Sequence, residues 1–465
     1  MKRKQWATAV AVVLSMAAFC AGPSVVYANH GMENVAGGAK SEGMGGTTIA
    51  VGDDTTVMNT NPSAISKLDG WRMDMNLTMM FPFYSFENQD ATGTTTLNKT
   101  GGKRPIFVMP SMGIAMHDTD SKWSFGLGMY NEGGTGTDYG FLKVDTRFLE
   151  NRTAGAPDYA YAEYYSMFGF MKITPTVAYN ITDKLSIGAS PQIGYAMMRM
   201  KMPFYMDMSK NGVIDTLFNA DMDGSTGTLL TGKIGLLYNF YNMMGAGLAY
   251  TTATDINLRG TATMVSPIDQ SMANAQSRMT GDFNMKIGWP QSVKAGMFMK
   301  MQPMWGIMMS FDVEWLNWSK YFDTIPVSLS NVKMDGADMN DQNFLMKMGW
   351  KDQWVYKVGF EMPEIKKIKM RMGYAYGKNP ASSSEGAFAI MNPYVEHHVT
   401  MGLGYDISDT SEFNMGMTYG FNKKQSGGAG NSVTSADMYN NAPDMRNSTT
   451  GMEYLSMSMM VTNKW

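Results

Sequence analysis

Four histidines, a short acidic run and a scatter of cations are the side chains of this 465-residue sequence that could do chemistry. His30, His117, His397 and His398 are too few and too scattered for a zinc site of the usual spacing. Asn219, Asp221, Asp223 and Gly224 imitate the opening of a calcium loop, but Leu230 stands where the bidentate Glu would close it. Gly43, Gly45 and Gly46 follow no strand pattern and leave a dinucleotide fingerprint incomplete. No Ser/His/Asp set or paired carboxylates stand out, so the chain reads as a non-enzyme with no metal and no cofactor. The 51 methionines could capture a soft metal through thioethers, yet most occupy alternate positions of apolar runs, where they serve as adaptable apolar side chains. What remains is a set of cations able to hold a carboxylate: Lys172, Arg199, Lys233, Lys369 and Arg371. Their use depends on the elements that carry them.

Those elements begin after an export signal. Lys2, Arg3 and Lys4 precede an uncharged apolar run from Trp6 to Phe19, and Val26-Tyr27-Ala28 offers a small-residue cleavage site, which sets residues 1–28 apart as a signal peptide. Cleavage there removes Cys20, the single cysteine, and with it any disulfide chemistry. The formal net charge of −3 gives no reason to expect nucleic acid as a partner. The best candidate for a spanning helix, Ile234 to Tyr250, is interrupted by Asn239, Asn242 and three glycines, and its apolar residues alternate.

Alternation recurs along the whole chain. Trp71, Met73, Met75, Leu77 and Met79 oppose Arg72, Asp74, Asn76 and Thr78, and Trp123, Phe125, Leu127 and Met129 oppose Ser124, Gly126 and Gly128. The same two-faced pattern runs through 185–195, 307–315, 368–374, 399–405, 413–419 and 455–461. Short turns lie at 117–122, 180–184, 241–243, 302–304, 363–367 and 406–411. Long connections lie between them at 82–105, 131–166, 202–228, 259–290, 317–352, 377–396 and 422–452. A soluble β-sandwich also alternates but has no reason to alternate long and short connections. The rhythm predicts an all-β fold, a 14-stranded antiparallel transmembrane β-barrel over 71–465 in a bacterial outer membrane, with the short turns in the periplasm. Ile325 to Ser330 also has strand character and is assigned to the fifth long connection. A barrel of this girth is too wide for its own side chains to fill, and 29–70 is available as a plug.

That segment carries Gly43-Met44-Gly45-Gly46, Gly52-Asp53-Asp54 and Asn61-Pro62-Ser63-Ala64. It resembles the N-terminal hatch of the outer-membrane long-chain fatty-acid transporter family (FadL/TodX, OmpP1-like), whose Asn-Pro-Ala has Ser63 in place of Ala here. Asn180-Ile181-Thr182-Asp183-Lys184, Gly235-Leu236-Leu237-Tyr238, Asp312-Val313-Glu314-Trp315 and Arg371-Met372-Gly373-Tyr374 continue the likeness in order. The resemblance implies a monomeric barrel in outer-membrane lipid and lipopolysaccharide that passively takes up hydrophobic compounds, fatty acids or aromatic hydrocarbons. It implies hatch residues Gly43, Gly45, Asp53, Asp54, Asn61 and Pro62, and a side opening where the third barrel strand kinks. That kink falls at Asn131-Glu132-Gly133-Gly134, although paired glycines would equally open a loop. It also implies a groove between the third and fourth long loops, here Phe204, Tyr205, Met206, Met208, Leu217, Phe218, Met264 and Val265. A secretion-system barrel and a general polar porin are the competing readings.

Overall fold

In the computed structural model the described residues are 30–465 except 91, 148, 150–157, 207–215, 242, 267–276, 302–305, 382–394 and 428–446. The signal segment 1–28 and Met208 lie outside them. Three short helices come first or interrupt the sheet: α1 (Ala39–Gly43), α2 (Val57–Thr60) and α3 (Ser319–Phe322), with a 3₁₀ turn at Pro62–Lys67. The strands are β1 (Gly70–Gln89), β2 (Thr96–Thr100), β3 (Phe107–His117), β4 (Trp123–Asp145), β5 (Tyr159–Asn180), β6 (Leu185–Met206) and β7 (Thr216–Tyr241). They continue with β8 (Met244–Thr251), β9 (Thr254–Val265), β10 (Arg278–Trp289), β11 (Ser292–Met301), β12 (Ile307–Leu316), β13 (Thr324–Met334) and β14 (Ala337–Asp338). The last are β15 (Gln342–Lys347), β16 (Gln353–Glu361), β17 (Ile368–Gly377), β18 (His397–Asp406), β19 (Ser411–Ser426) and β20 (Ser448–Lys464).

Antiparallel pairing runs β1-β3-β4-β5-β6-β7-β8-β11-β12-β16-β17-β18-β19-β20 and returns to β1, a closed barrel of 14 spans. β9 extends the β8 span outward and β10 does the same for β11. The barrel closes where β20 pairs with β1 from Arg72↔Lys464 to Asn88↔Ser448, and Trp71 and Trp465 exchange backbone hydrogen bonds of 2.9 and 3.0 Å. Closure pairs the outermost strands with each other and so removes the edges that would otherwise expose unpaired backbone groups to lipid. Among the described residues no helix is long and apolar enough to cross a membrane, and Ile234–Tyr250 is the β7–β8 hairpin.

The long connections were expected to be loops, and several are strands instead. β4 and β5 stay paired out to Asp145↔Tyr159, and β6 and β7 out to Met206↔Thr216. The strand expected inside the fifth connection is β13, which pairs with β10 above the membrane level rather than joining the circuit. A span of about ten residues crosses the hydrocarbon, so the 22 residues of β6 project well beyond it.

The outer wall presents large apolar side chains, among them Leu236, Leu248, Met297, Met372, Met401 and Leu403. In water such a band would be costly; in lipid it is the solvated face. The inner wall divides by height. Near the periplasmic end β6 turns Ser186, Ser190 and Gln192 inward, and β5 turns Lys172, Thr174 and Thr176 inward, all buried. Higher up the same inward phase carries Met198, Met200, Met202 and Phe204 on β6, and Phe170 and Phe168 on β5. Residues 30–69 fill the polar lower half, with α1, α2 and the 3₁₀ turn packed against the inner faces of the barrel.

Candidate functional site: a plugged barrel beneath an apolar core

The N-terminal segment is fixed by its backbone as much as by its side chains. Asp312, on the inner face of β12, accepts the amide hydrogens of Thr48 and Ile49 at 2.7 and 3.1 Å, and Asp74 on β1 accepts that of Thr55 at 2.7 Å. These loop amides have no strand to pair with, and an inward carboxylate satisfies them where water is scarce. Asn61 caps the 3₁₀ turn: its carboxamide oxygen accepts the Ser63 amide and hydroxyl, while its nitrogen donates to the carbonyls of Ile49 and Leu236 at 2.7 and 3.1 Å. Pro62 begins that turn, where its fixed φ suits the geometry and its missing donor costs nothing. Ser63 thus adds a bond of 2.7 Å to Asn61 that Ala could not make.

Gly43 and Gly45 are demanded by close approach. A Cβ on Gly43 would lie 2.9 Å from the Cα of Gly402. Gly45 has φ +67° and donates to the Thr400 hydroxyl at 2.9 Å, and a Cβ there would lie 2.6 Å from the Val358 carbonyl oxygen. Asp53 and Glu412 both face the buried Lys40, at 3.5 and 3.0 Å. Asp54 accepts the Thr56 amide at 2.8 Å and its hydroxyl, a turn that leads into α2. Burial, then the neighbouring carboxylates of Asp53 and Asp74, push the Asp54 carboxyl up to about 6. Burial also lowers the Lys67 ammonium to about 8, with Lys300 adding repulsion; Lys67 donates to the Ala50 carbonyl and lies 4.6 Å from the centre of the Phe298 ring.

The third span, β4, carries an irregularity within Asn131–Gly134. In the β4–β5 ladder Asn131 pairs with Met171 and Gly133 with Phe170, so Glu132 is the extra residue of a bulge. The β3–β4 ladder starts at His117↔Ser124 and stops at Met112↔Met129. Above it β3 remains paired with β1 and β4 with β5, which leaves a seam in the wall between the upper parts of β3 and β4. Lys103 donates its amide to the Asp138 carbonyl at 2.7 Å and bounds the seam at its top.

From inside, the first residues of the plug occupy the seam. Gly134 donates to the Met32 carbonyl at 2.9 Å, Asn34 donates its amide to Glu132 at 3.1 Å, and the Asn34 carboxamide donates to the Asn131 carbonyl at 2.9 Å. A Cβ on Gly133 would overlap the Met32 carbonyl. Glu33 pairs with the buried Lys294, which also lies 3.3 Å from Glu314, and Glu314 pairs with Lys357 at 2.8 Å. A cavity of about 30 Å³ lies beside this contact, lined by Asn34, Gly37, Met109, Ser111 and Asn131 among others.

Above the plug is a continuous apolar core. It contains Met32 of the plug together with Phe168, Phe170, Met198, Phe283, Trp289, Trp318 and Trp350, and the rings of Phe170, Trp289, Trp318 and Trp350 touch in series at 4.7 to 5.6 Å between centroids. Of the residues expected to form a loop groove, Phe204, Leu217, Phe218 and Met264 are buried in this core. The backbone of Tyr205 pairs with Leu217, that of Met206 with Thr216 and that of Val265 with Asn219. The structure therefore brings them together on the adjoining strands β6, β7 and β9 rather than on loops.

The expected carboxylate partners are dispersed. Lys172 is buried beside Glu132 at 2.7 Å and donates to Gln192 at 3.0 Å; Lys233 donates to the Asn59 carbonyl. Arg371 pairs with Glu361 at 2.7 Å and Lys369 with Asp406 at 3.3 Å, both near the periplasmic mouth. Arg199 does not face the lumen. Its neighbours Met198 and Met200 do, and it pairs outside with Asp221 and Asp223, the acidic residues of the calcium-like run. The apolar core of the upper barrel and the Glu33–Lys294 pair carry no motif that marks them in the sequence. The phase of alternation in β6, continued through Met198, Met200 and Met202, was the available signal for the first.

A family model described as outer membrane protein transport protein (OMPP1/FadL/TodX) matches residues 17–456. Among curated proteins none matches the chain. Among solved structures, the Pseudomonas putida toluene transporter TodX superposes with a TM-score of 0.71 at 17% identity, covering 93% of this chain and 99% of TodX. The Ralstonia pickettii toluene transporter TbuX gives 0.67 at 18% identity over 93% and 99%. A Pseudomonas aeruginosa FadL homologue gives 0.69 at 13% identity over 93% and 99%. Likeness at these identities concerns the fold.

Proposed function

The chain belongs to the outer membrane protein transport family (OMPP1/FadL/TodX), and from that membership we propose that it is a channel for passive uptake of hydrophobic compounds across the bacterial outer membrane. The observation that carries the reading is the apolar core packed inside the barrel directly over a polar plug, with a seam in the wall at the junction. A hydrocarbon entering from outside would gain burial free energy of about 0.8 kcal/mol per CH₂ by inserting among these apolar side chains and lose it again in the polar lower lumen. The seam between β3 and β4 offers a lateral route into the bilayer that avoids this loss. Residues 30–37 act as its gate, since they hold the seam's backbone groups and the Glu33–Lys294 pair holds them.

The five expected carboxylate partners are engaged by other groups, so recognition rests on the apolar core and not on a fixed charge. Thioethers and aromatic rings suit flat, polarisable ligands and alkyl chains alike. On this reading the protein performs no chemistry on its cargo. The test is uptake of radiolabelled toluene and of oleate into cells that express the protein in place of their own channel. The reading predicts saturable uptake of at least one; equal rates with and without the protein for both would sink it.

A further inference from the structure

One apolar hollow among the described residues is not in the barrel interior. It lies on the outer wall across β7, β8, β11 and β12, with a volume of about 520 Å³. Most outward positions of this wall carry Leu, Met, Ile or an aromatic residue, but Ala246 and Ala295 stand diagonally adjacent on paired strands, opposite Met297 and Leu248. Two neighbouring positions therefore lack the side-chain layer, and Leu236, Leu248, Met297 and Phe311 stand around the gap. The floor is firm, because Gly247 and Gly296 face the lumen beneath it and pack on Ile49 of the plug.

Its height and rim identify an occupant. β8 starts at Met244, directly after the short turn, so Ala246 lies two residues from the periplasmic end, and Leu185 and Tyr238 form the lower border. At about 3.3 Å per residue the hollow falls within the periplasmic half of the span, the level of the inner leaflet, which is phospholipid. Asp183 and Lys184 immediately precede Leu185 of this border, and the Lys184 ammonium lies 5.3 Å from the centre of the Tyr241 ring, at the short turn below it. Adjacent opposite charges over an apolar slot match a zwitterionic headgroup over an acyl chain. We propose that this groove is a specific phospholipid site, with one acyl chain lodged over Ala246 and Ala295 and the phosphate at Lys184.

The site rests on the outer-membrane orientation and is separate from the transport reading. Native mass spectrometry of the purified protein, after exchange into a short-chain detergent, should show about one retained phospholipid per barrel, identified as phosphatidylethanolamine by extraction. Filling the groove with Ala246→Phe/Ala295→Phe should lower retention on the order of tenfold, and Lys184→Glu should lower it while leaving the slot open. Heat-modifiable gel migration checks that both variants fold, and oleate uptake should be unchanged in both. Equal retention in wild type and both variants, a wild type that holds no phospholipid, a groove filled by added oleate in preference to phospholipid, or a dimer dissociated by the double substitution would each overturn the proposal.

Discussion

Glu33 and Lys294 form the tie that is simplest to cut. Removing one partner of a buried pair leaves the other uncompensated at a cost of about 3–5 kcal/mol, although here Glu314 remains beside Lys294 and softens the loss. Glu33→Gln should therefore release residues 30–37, raising amide hydrogen exchange there while protection of β12 and β16 stays unchanged, and should speed uptake. Asp54 supplies a second residue-scale test. Its carboxyl is raised from the usual value to about 6 by burial and by Asp53 and Asp74, so the folded plug binds the proton more tightly than a released one. The contribution of Asp54 to plug stability is then fully present below the ordinary carboxylate range and is lost as pH rises through about 4 to 6, by on the order of 3 kcal/mol in full. Exchange protection at 54–60 should fall across that window and level off above it, and Asp54→Asn should flatten the profile. The hatch residues were readable from the chain because glycine at a positive φ and Asn-Pro at a turn leave marks in sequence. Glu33 was not, since one acid among many gives no hint of which lysine it meets across the barrel.

At the scale of elements, the bulge in β4 governs whether the wall is continuous. Deleting Glu132 removes the extra residue and should let β3 and β4 pair past Met112 and Met129; a Lys172→Met background avoids an orphaned charge. Uptake should drop by about tenfold or more in the folded variant, and undiminished uptake would count against lateral release. Strand count was legible because alternation marks a membrane-crossing strand at any single height. Strand ends were not, and Arg199 shows why. Within lipid the apolar residues face out, but beyond it the outside is water and the inside is the apolar core, so the same strand turns Arg199 and Lys201 outward and Met198, Met200 and Phe204 inward. An apolar-polar alternation whose polarity inverts midway reads locally as an irregular loop. The third connection, 202–228, reads as a loop in the sequence on that account.

For the whole molecule, barrel and plug divide the labour. The barrel closes through its own ladders, and the plug is attached to it by side-chain bonds and loop amides rather than by a shared strand order. A barrel lacking residues 30–69 should still fold and show heat-modifiable migration, but with a water-filled lower lumen it should conduct ions steadily in planar bilayers, where the intact protein should not. The height at which the inner wall changes character, near Lys172 and Gln192 on one side and Phe170 and Ala196 on the other, has a consequence for direction. It acts as a watershed. On the proposed reading, a greasy solute drifting inward would run downhill to that contour, and the nearest basin at the same altitude would be the bilayer beyond the seam. Traffic would thereby be sorted without any supply of energy, and what would fix the outlet is where the slope reverses.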